Sequence, residues 1–217
     1  MMRSILRRMR IQYASDLHLE YYDKTPFPLL LKPAAPVLAL AGDLGYPGRR
    51  AYRDLLHYCS RNWAQVFVVA GNRELYCTQK KWTADLLLEQ CAAMANKFPN
   101  VQFMNQTRAE FGGVTFLGES FGLLQPEHTS TWVRDQLRDA TKPVVLLSHH
   151  LPRCDRLLRL PLRAVICGAT HTATRRSIVL PDASQINVCV NPRGYPHEYR
   201  TGYSRERCIE ISTERLA

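Results

Sequence analysis

A carboxylate and an imidazole stand two residues apart in Tyr13-Ala14-Ser15-Asp16-Leu17-His18, just where a run of β-forming residues stops. Residues i and i+2 of a strand share a face, so Asp16 and His18 could grip one cation between a hard oxygen and a borderline nitrogen. That mixture suits Mn, Fe or Zn better than Ca. Alone, the triplet would serve equally well as an N-cap aspartate followed by a surface histidine. Four later apolar runs, however, also end in candidate ligands. Residues 37–41 lead into Gly42-Asp43, 66–70 into Gly71-Asn72-Arg73-Glu74, 144–148 into His149-His150, and 163–167 into Gly168-Ala169-Thr170-His171.

The elements that must position these groups can be traced from periodicity. Residues 10–14 form a first strand, and 19–36, with Pro26, Pro28, Pro33 and Pro36, form a loop because proline removes donors and resists helix. The unbroken apolar runs at 37–41, 66–70 and 144–148 are those of strands buried on both faces. Tyr52, Leu55, Leu56 and Cys59 fall at helical spacing within 49–60. A second helix is expected over 83–97, opened by Thr83 with Asp85 in its first turn. Further helices are expected at 131–138 and, short and basic, at 154–160. Short strands at 101–104 and 114–118 follow across a Gly112-Gly113 turn. A strand at 163–167 and tail strands around 177–180, 185–190 and 208–212 complete the pattern.

Strand-helix alternation in the first half implies a mainly parallel sheet, and the closely spaced strands of the second half imply hairpins. Ligands of such sheets collect beyond the carboxyl ends of the strands. Asp16, His18, Asp43, Asn72, His149 and His171 therefore gather at one edge. Four of the seven histidines, counting His150, sit at strand ends. A single one would be a packed or loop histidine; the set argues for a site.

Composition sets the frame. The 217 residues carry no Ser/Gly/Pro-rich linker, so a single domain over 1–217 is expected, with a basic leader at 1–8. The chain is 46% hydrophobic and 22% charged, and no apolar run approaches the ~20 residues that cross a bilayer, which excludes a membrane-spanning protein. Seven cysteines, odd in number, scattered and never spaced C-x-x-C, fit free thiols and an intracellular, cytoplasmic location. The formal charge of +10 fits a nucleic-acid partner, an acidic membrane surface or an anionic substrate, although the basic residues are dispersed in short pairs as on a solvated surface. Trp63, Trp82 and Trp132 are assigned to core or rim packing.

Asp-x-His, Gly-Asp, Gly-Asn, a strand ending in His, and Gly-x-x-His, in this order, resemble the blocks of the calcineurin-like metallophosphoesterase superfamily. The resemblance runs from about Met9 to Asn191-Pro192-Arg193-Gly194-Tyr195-Pro196, which is similar to a closing motif of small members. It implies an α/β fold, a four-layer αββα sandwich of two mixed β-sheets flanked by helices, with a metal centre at the strand ends. By matching position, Asp16, His18 and His171 would hold one metal, Asn72 and His149 a second, and Asp43 would bridge them. His149 is taken as the ligand because it comes first after its strand; exchange with His150 stays open, and His150 would otherwise touch phosphate or a ligand. The implied cofactors are divalent ions, one or two per chain, Mn²⁺ first, with Fe, Zn or Mg as alternatives.

The resemblance implies hydrolysis of phosphomonoesters or phosphodiesters by a metal-bound hydroxide. Substrates would be a phosphorylated small molecule, a phosphoprotein or a nucleotide, with nucleic acid as a further possibility and no membrane partner. Two departures matter. The final block of most members is Gly-His-x-His, whereas Ala169 stands at the first histidine, so the second site lacks one protein ligand. The histidine that usually follows Gly-Asn is Arg73, which can hold phosphate bidentately but cannot donate a proton near neutral pH. Catalytic roles are thus expected of Asn72, Arg73 and His150, with good leaving groups or diesters favoured. Arg153, Arg175, Arg176 and Arg193 could bind an anionic substrate, Arg153 and Arg193 its phosphate, although each alone reads as a surface or ion-pair arginine, and Glu74 is a partner of a ligand or a helix-start carboxylate. The alternatives are a catalytically degenerate binding protein that keeps the fold, or a nucleic-acid-directed phosphodiesterase.

Overall fold

The apolar runs are continuous because each strand alternates between two different cores. In a computed structural model of the chain, which describes residues 8–22, 24–76, 83–120, 126–152, 161–181 and 184–213 (side chains of 126–130 excepted), the strands fall into two sheets. The first contains β1 (Arg8–Ala14), β2 (Val37–Ala41), β3 (Gln65–Val69), β4 (Val101–Phe103) and β11 (Cys208–Ser212), in the order β11-β1-β2-β3-β4. The second contains β5 (Thr107–Phe111), β6 (Val114–Glu119), β7 (Val144–Ser148), β8 (Leu162–Cys167), β9 (Thr174–Val179) and β10 (Gln185–Val190), ordered β5-β6-β7-β8-β10-β9. Strands β1 to β4 are parallel, as are β6, β7, β8 and β10; β11, β5 and β9 run antiparallel to their neighbours.

Ile11, Tyr13, Val37, Ala39, Ala41, Phe67 and Val69 of the first sheet meet Phe116, Val145, Leu147, Ala164, Ile166 and Cys189 of the second in a buried inter-sheet layer. Phe67 and Phe116 stack across it with centroids 4.3 Å apart. The intervening residues Leu38, Leu40, Val66 and Val68 face outward onto Tyr52, Leu55, Leu56 and Cys59 of α2 (Arg50–Asn62). On the far side, Leu117, Val144, Leu146 and Val165 pack against Val133 and Leu137 of α5 (Pro126–Arg138). Helix, sheet, sheet and helix stack as the expected αββα sandwich of two mixed sheets.

Several boundaries differ from expectation for physical reasons. The proline-rich loop contains a short helix, α1 (Phe27–Leu30), because Pro26 is its N-cap and Pro28 lies in its first turn, where a missing N–H costs nothing. The Gly112-Gly113 turn, both residues at positive φ (56° and 84°), does not join the strand at 101–103 to its successor. It closes a hairpin of β5 and β6, while β4 stays in the other sheet. β5 escaped notice because it is an edge strand with one wet face carrying Arg108 and Glu110. Helix α5 starts at Pro126, β8 starts at Leu162, and β9 covers Thr174–Val179. α3 (Asn72–Leu75) is a single turn, and α4 (Ala84–Ala95) is capped by Thr83, whose side chain accepts from the Leu86 amide at 3.3 Å.

Arg8, the last residue of the expected leader, opens β1 opposite Ser212, and the rest of the leader lies outside the described residues, as does the expected helix at 154–160. Cys59, Cys91, Cys189 and Cys208 are free thiols. Among the described residues, no helix is long and apolar enough to cross a membrane. Trp63 is buried, and its indole N–H donates to the fully buried Gln12 at 3.0 Å; Trp132 packs on the α5 core, and Trp82 is outside the described residues.

Candidate functional site

Asp16 and His18 do not converge by strand alternation. β1 ends at Ala14, Ser15 bridges to Pro192, and the backbone then enters the left-handed region at Asp16 (φ 52°) and His18 (φ 46°). Asp43 (φ 54°), Ala169 (φ 64°) and His171 (φ 49°) adopt the same conformation beyond β2 and β8. Each costs an L-residue roughly 1–2 kcal/mol, and such strain gathers where geometry is functional. Here it is held by cross-loop bonds: the Asp16 amide donates to the Gly42 carbonyl at 2.9 Å, His18 to Asp43 at 3.0 Å and Gly194 to Asp16 at 3.0 Å.

These turns bring the predicted residues together in two groups. Asp16, His18 and His171 form one; Asp16, Asp43 and His149 form the other, with the candidate ligand atoms of each group within 4.8 Å of one another. Asp16 is common to both. His171 Nε2 lies 3.3 Å from Asp16 Oδ1 and 3.3 Å from His18 Nε2. In the second group, His149 Nε2 lies 3.0 Å from Asn72 Oδ1 and 3.5 Å from Asp43 Oδ1.

The inner nitrogens point into the clusters because the outer ones are occupied. His149 Nδ1 meets the Ala41 carbonyl at 2.8 Å, and a carbonyl can only accept, so Nδ1 carries a proton and the neutral ring presents its lone pair at Nε2. His18 Nδ1 contacts Glu20 at 3.3 Å, and His171 Nδ1 contacts Glu198 at 2.6 Å. This carboxylate or carbonyl support is the arrangement that orients metal-binding imidazoles. It leaves Nε2 of His149, the Asn72 oxygen and Asp43 facing one another as acceptors. A cation is what such a convergence lacks, and the N/O donor set fits a borderline or moderately hard divalent ion.

The charges agree. Burial pushes the Asp43 carboxyl up, with Asp16 adding to the rise against the Arg73 amide bond that opposes it. Burial likewise raises Glu74, with Asp43 nearby. Burial also works against Asp16, yet the hydrogen bond to His171 and the proximity of His149 hold its carboxyl below the usual range. The same Asp16 bond lifts His171 to about 9 against the opposing effect of burial, with Glu198 contributing. Negative charge is crowded here, and it favours a proton on His171 where a cation could stand.

Glu74 is a helix-start carboxylate in the first turn of α3, and it is fully buried beneath the second group. Its oxygens accept from the Asp43 and Leu44 amides at 2.9 and 2.7 Å and from Gly71 at 2.7 Å, fixing the turn that presents Asp43. A Cβ on Gly71 would stand 2.2 Å from Asp43 Oδ1, so only glycine permits the approach of the two loops.

Arg73 lies beside the clusters. Its amide donates to Asp43 Oδ1 at 2.6 Å, its Nη2 donates to the Tyr195 hydroxyl at 2.9 Å, and its Nε is 3.5 Å from Glu20. His150 is exposed, its ring 4.9 Å from that of His149. Ala169 contributes no ligand atom from its side chain; its amide faces both Asp16 oxygens at 3.2 Å. The Arg193 guanidinium lies over Tyr22 at 4.7 Å and near Tyr203 at 5.8 Å, so its described contacts are aromatic rings, not the Asp/His groups. Arg175 and Arg176 are exposed on edge strand β9, and Arg153 is outside the described residues.

Sequence reasoning missed three residues. Tyr195 stacks on His18 at 4.2 Å and leans on His171 at 4.8 Å while its hydroxyl accepts from Arg73. Its place in the closing motif was the available signal. Glu20 follows His18 by two residues. Glu198 had no local signal, because its partner His171 is 27 positions away.

Three comparisons bear on this site. Residues 9–173 match the family model described as calcineurin-like phosphoesterase. The chain is 26% identical, over a 278-residue alignment covering 94% of it and 97% of the relative, to uncharacterized protein L509 of Acanthamoeba polyphaga mimivirus. Among solved structures it is similar to phosphopantetheinyl hydrolase (PptH) from Mycobacterium tuberculosis, with a TM-score of 0.63 and 17% identity, covering 94% of this chain and 96% of that one. That last likeness is one of fold.

Proposed function

The chain belongs to the calcineurin-like phosphoesterase family, and we propose that it is a metal-dependent phosphoesterase holding divalent cations on Asp16, His18 and His171 and on Asn72 and His149, with Asp43 serving both. The observation that carries this reading is the convergence of Nε2 atoms and carboxylate oxygens with their outer partners already satisfied. When bound, the cations supply an activated water and neutralise phosphoryl charge. The chain's own groups do the rest. Glu20, Glu198 and the Ala41 carbonyl orient the imidazoles, and Glu74 fixes the Asp43 turn.

Arg73, a permanent cation anchored by Tyr195 and Glu20, can pair with phosphoryl oxygens as charge develops. It cannot protonate a leaving group, so substrates with good leaving groups or diesters suit the site. His150, exposed beside His149, is available for a further phosphate contact. The substrate is then a phosphorylated small molecule, phosphoprotein or nucleotide, and Mn²⁺ is the first metal to try.

A second reading is favoured by Ala169: with only its backbone facing Asp16, the chain could be a binding protein that keeps the fold with one weak metal. Hydrolysis of an aryl phosphomonoester and the matching diester with Mn²⁺, wild type against Asp43→Asn, decides between them. Turnover lost in the variant supports the enzyme; equal, background rates in both support the binding protein. The +10 charge also admits nucleic acid, for which binding should weaken steeply with salt.

A further inference from the structure

A cavity of about 670 Å³ lies between the loop after β1 and the start of α2, and Glu20, which braces His18 and Arg73, is part of its wall. Its lining is of two kinds. Leu19, Pro26, Phe27, Tyr46 and Tyr52 supply apolar and ring surface, while Lys24, Arg49 and Arg50 supply cations. The volume is that of a small-molecule site.

Among the described residues, the charges at this cavity are not balanced. Glu20 is engaged by His18 and Arg73, and Asp54 is shared by Arg50 and Arg53 at 3.1 and 2.9 Å. Lys24 and Arg49 are left with no carboxylate partner among the described residues. The first turn of α2 also lines the cavity, and its N-cap, Arg49, makes no side-chain capping bond. The amides of that turn add positive potential to the two cations. An apolar body with an anionic end matches the ring surface and the charge, and Glu20 joins the cavity wall to His18 and Arg73.

We propose that this cavity is the subsite for the alcohol portion of the substrate, and that this portion carries a ring and a second anionic group held by Lys24 and Arg49. The proposal rests on the phosphoesterase reading for the word substrate, but the cavity's preference for a second anion can be measured without turnover. Adenosine 5′-monophosphate and adenosine 3′,5′-bisphosphate share one ring system and differ by one phosphate, which makes them suitable probes. Binding is measured by calorimetry on wild-type protein with metal chelated, and on Lys24→Ala/Arg49→Ala, with Arg138→Ala on α5 as a charge control.

The bisphosphate should bind wild type and Arg138→Ala roughly tenfold more tightly than the monophosphate, the worth of one charge-assisted contact. The double variant, checked for folding by its thermal transition, should lose that preference while keeping its affinity for the monophosphate. Equal affinity of wild type for the two nucleotides overturns the subsite, as does a preference that survives the double substitution. Turnover with Mn²⁺ is scored separately. If the aryl phosphodiester is not hydrolysed but the charge-dependent preference holds, the cavity stands as an anion site and the phosphoesterase reading falls; diester hydrolysis without the preference does the reverse.

Discussion

Nε2 of His18 and Nε2 of His171 face each other at 3.3 Å, while the Nδ1 atom of each ring is turned outward to a carboxylate, Glu20 for His18 and Glu198 for His171. Two lone pairs cannot rest tip to tip at that distance; a proton or a cation must lie between them or beside them. Asp16, 3.3 Å from His171 Nε2, favours either occupant. Metal binding and protonation therefore compete for one place.

The competition fixes the pH dependence. Asp16 and Glu198 raise His171 to about 9 despite burial, so in the metal-free protein it is protonated at pH 7. A divalent ion must expel that proton, and its apparent affinity should climb as pH rises toward about 9 and flatten above. Calorimetric titration with Mn²⁺ in two buffers of different ionisation enthalpy should register more than one proton released at pH 7, one from His171 and a further fraction from Asp43, which burial raises to about 7. For the metal-free fold the sign is opposite. A histidine raised above its unfolded value, about 6.5, contributes stability that is fully present below 6.5 and lost as pH passes through 9. Thermal transitions in chelator should fall over that interval, and a flat profile would contradict the His171 assignment.

Removing a ligand should remove the metal's stabilisation, not merely the activity. An ion at a hundredfold excess over its dissociation constant adds about 2.7 kcal/mol to the folded state. The Mn²⁺-dependent rise in transition temperature should vanish in His171→Ala. In Glu198→Gln, which keeps the ligand but alters the group orienting it, metal affinity should drop about 10- to 100-fold. Undiminished metal protection in His171→Ala would show that the ion binds elsewhere.

How much of this was visible beforehand depends on the range of each interaction. The buried strands were legible because both faces of β2, β3 and β7 are covered, leaving no polar alternation to confuse the pattern. The candidate ligands were legible because they follow strand ends directly. The reason they converge was not: Asp16 and His18 are brought round by left-handed turns, which side-chain periodicity does not encode. Glu198 and Tyr195 reach the site only through tertiary return of the tail, where Asn191 ties the segment to the Tyr13 carbonyl at 2.8 Å and the Ser204 carbonyl at 2.8 Å. β5 was hidden by its wet face.

Gly71→Ala tests the loop contact. The added methyl would sit 2.2 Å from Asp43 Oδ1 and 2.5 Å from the Asp43 amide, the latter backbone that cannot swing aside. Separation of the loops should cost roughly 1–3 kcal/mol and displace Asp43 from His149. Denaturant midpoints together with metal stoichiometry would register both effects; a variant of wild-type stability and metal content would mean that the loops shift freely.

Ala169→His is the substitution expected to gain rather than lose. Ala169 occupies the position where the family's Gly-His-x-His block has its first histidine, and its φ of 64° is one that histidine tolerates better than most residues. The backbone N–H that faces Asp16 is unaffected by the change. A ligand supplied there should raise affinity for the second equivalent of Mn²⁺ by about tenfold or more, and aryl phosphodiester turnover with it. Metal content after gel filtration separates the possibilities. A rise toward two ions per chain places residue 169 at the second site, whereas a folded variant with unchanged metal content means that the weak site is limited by Asn72 or Asp43 instead.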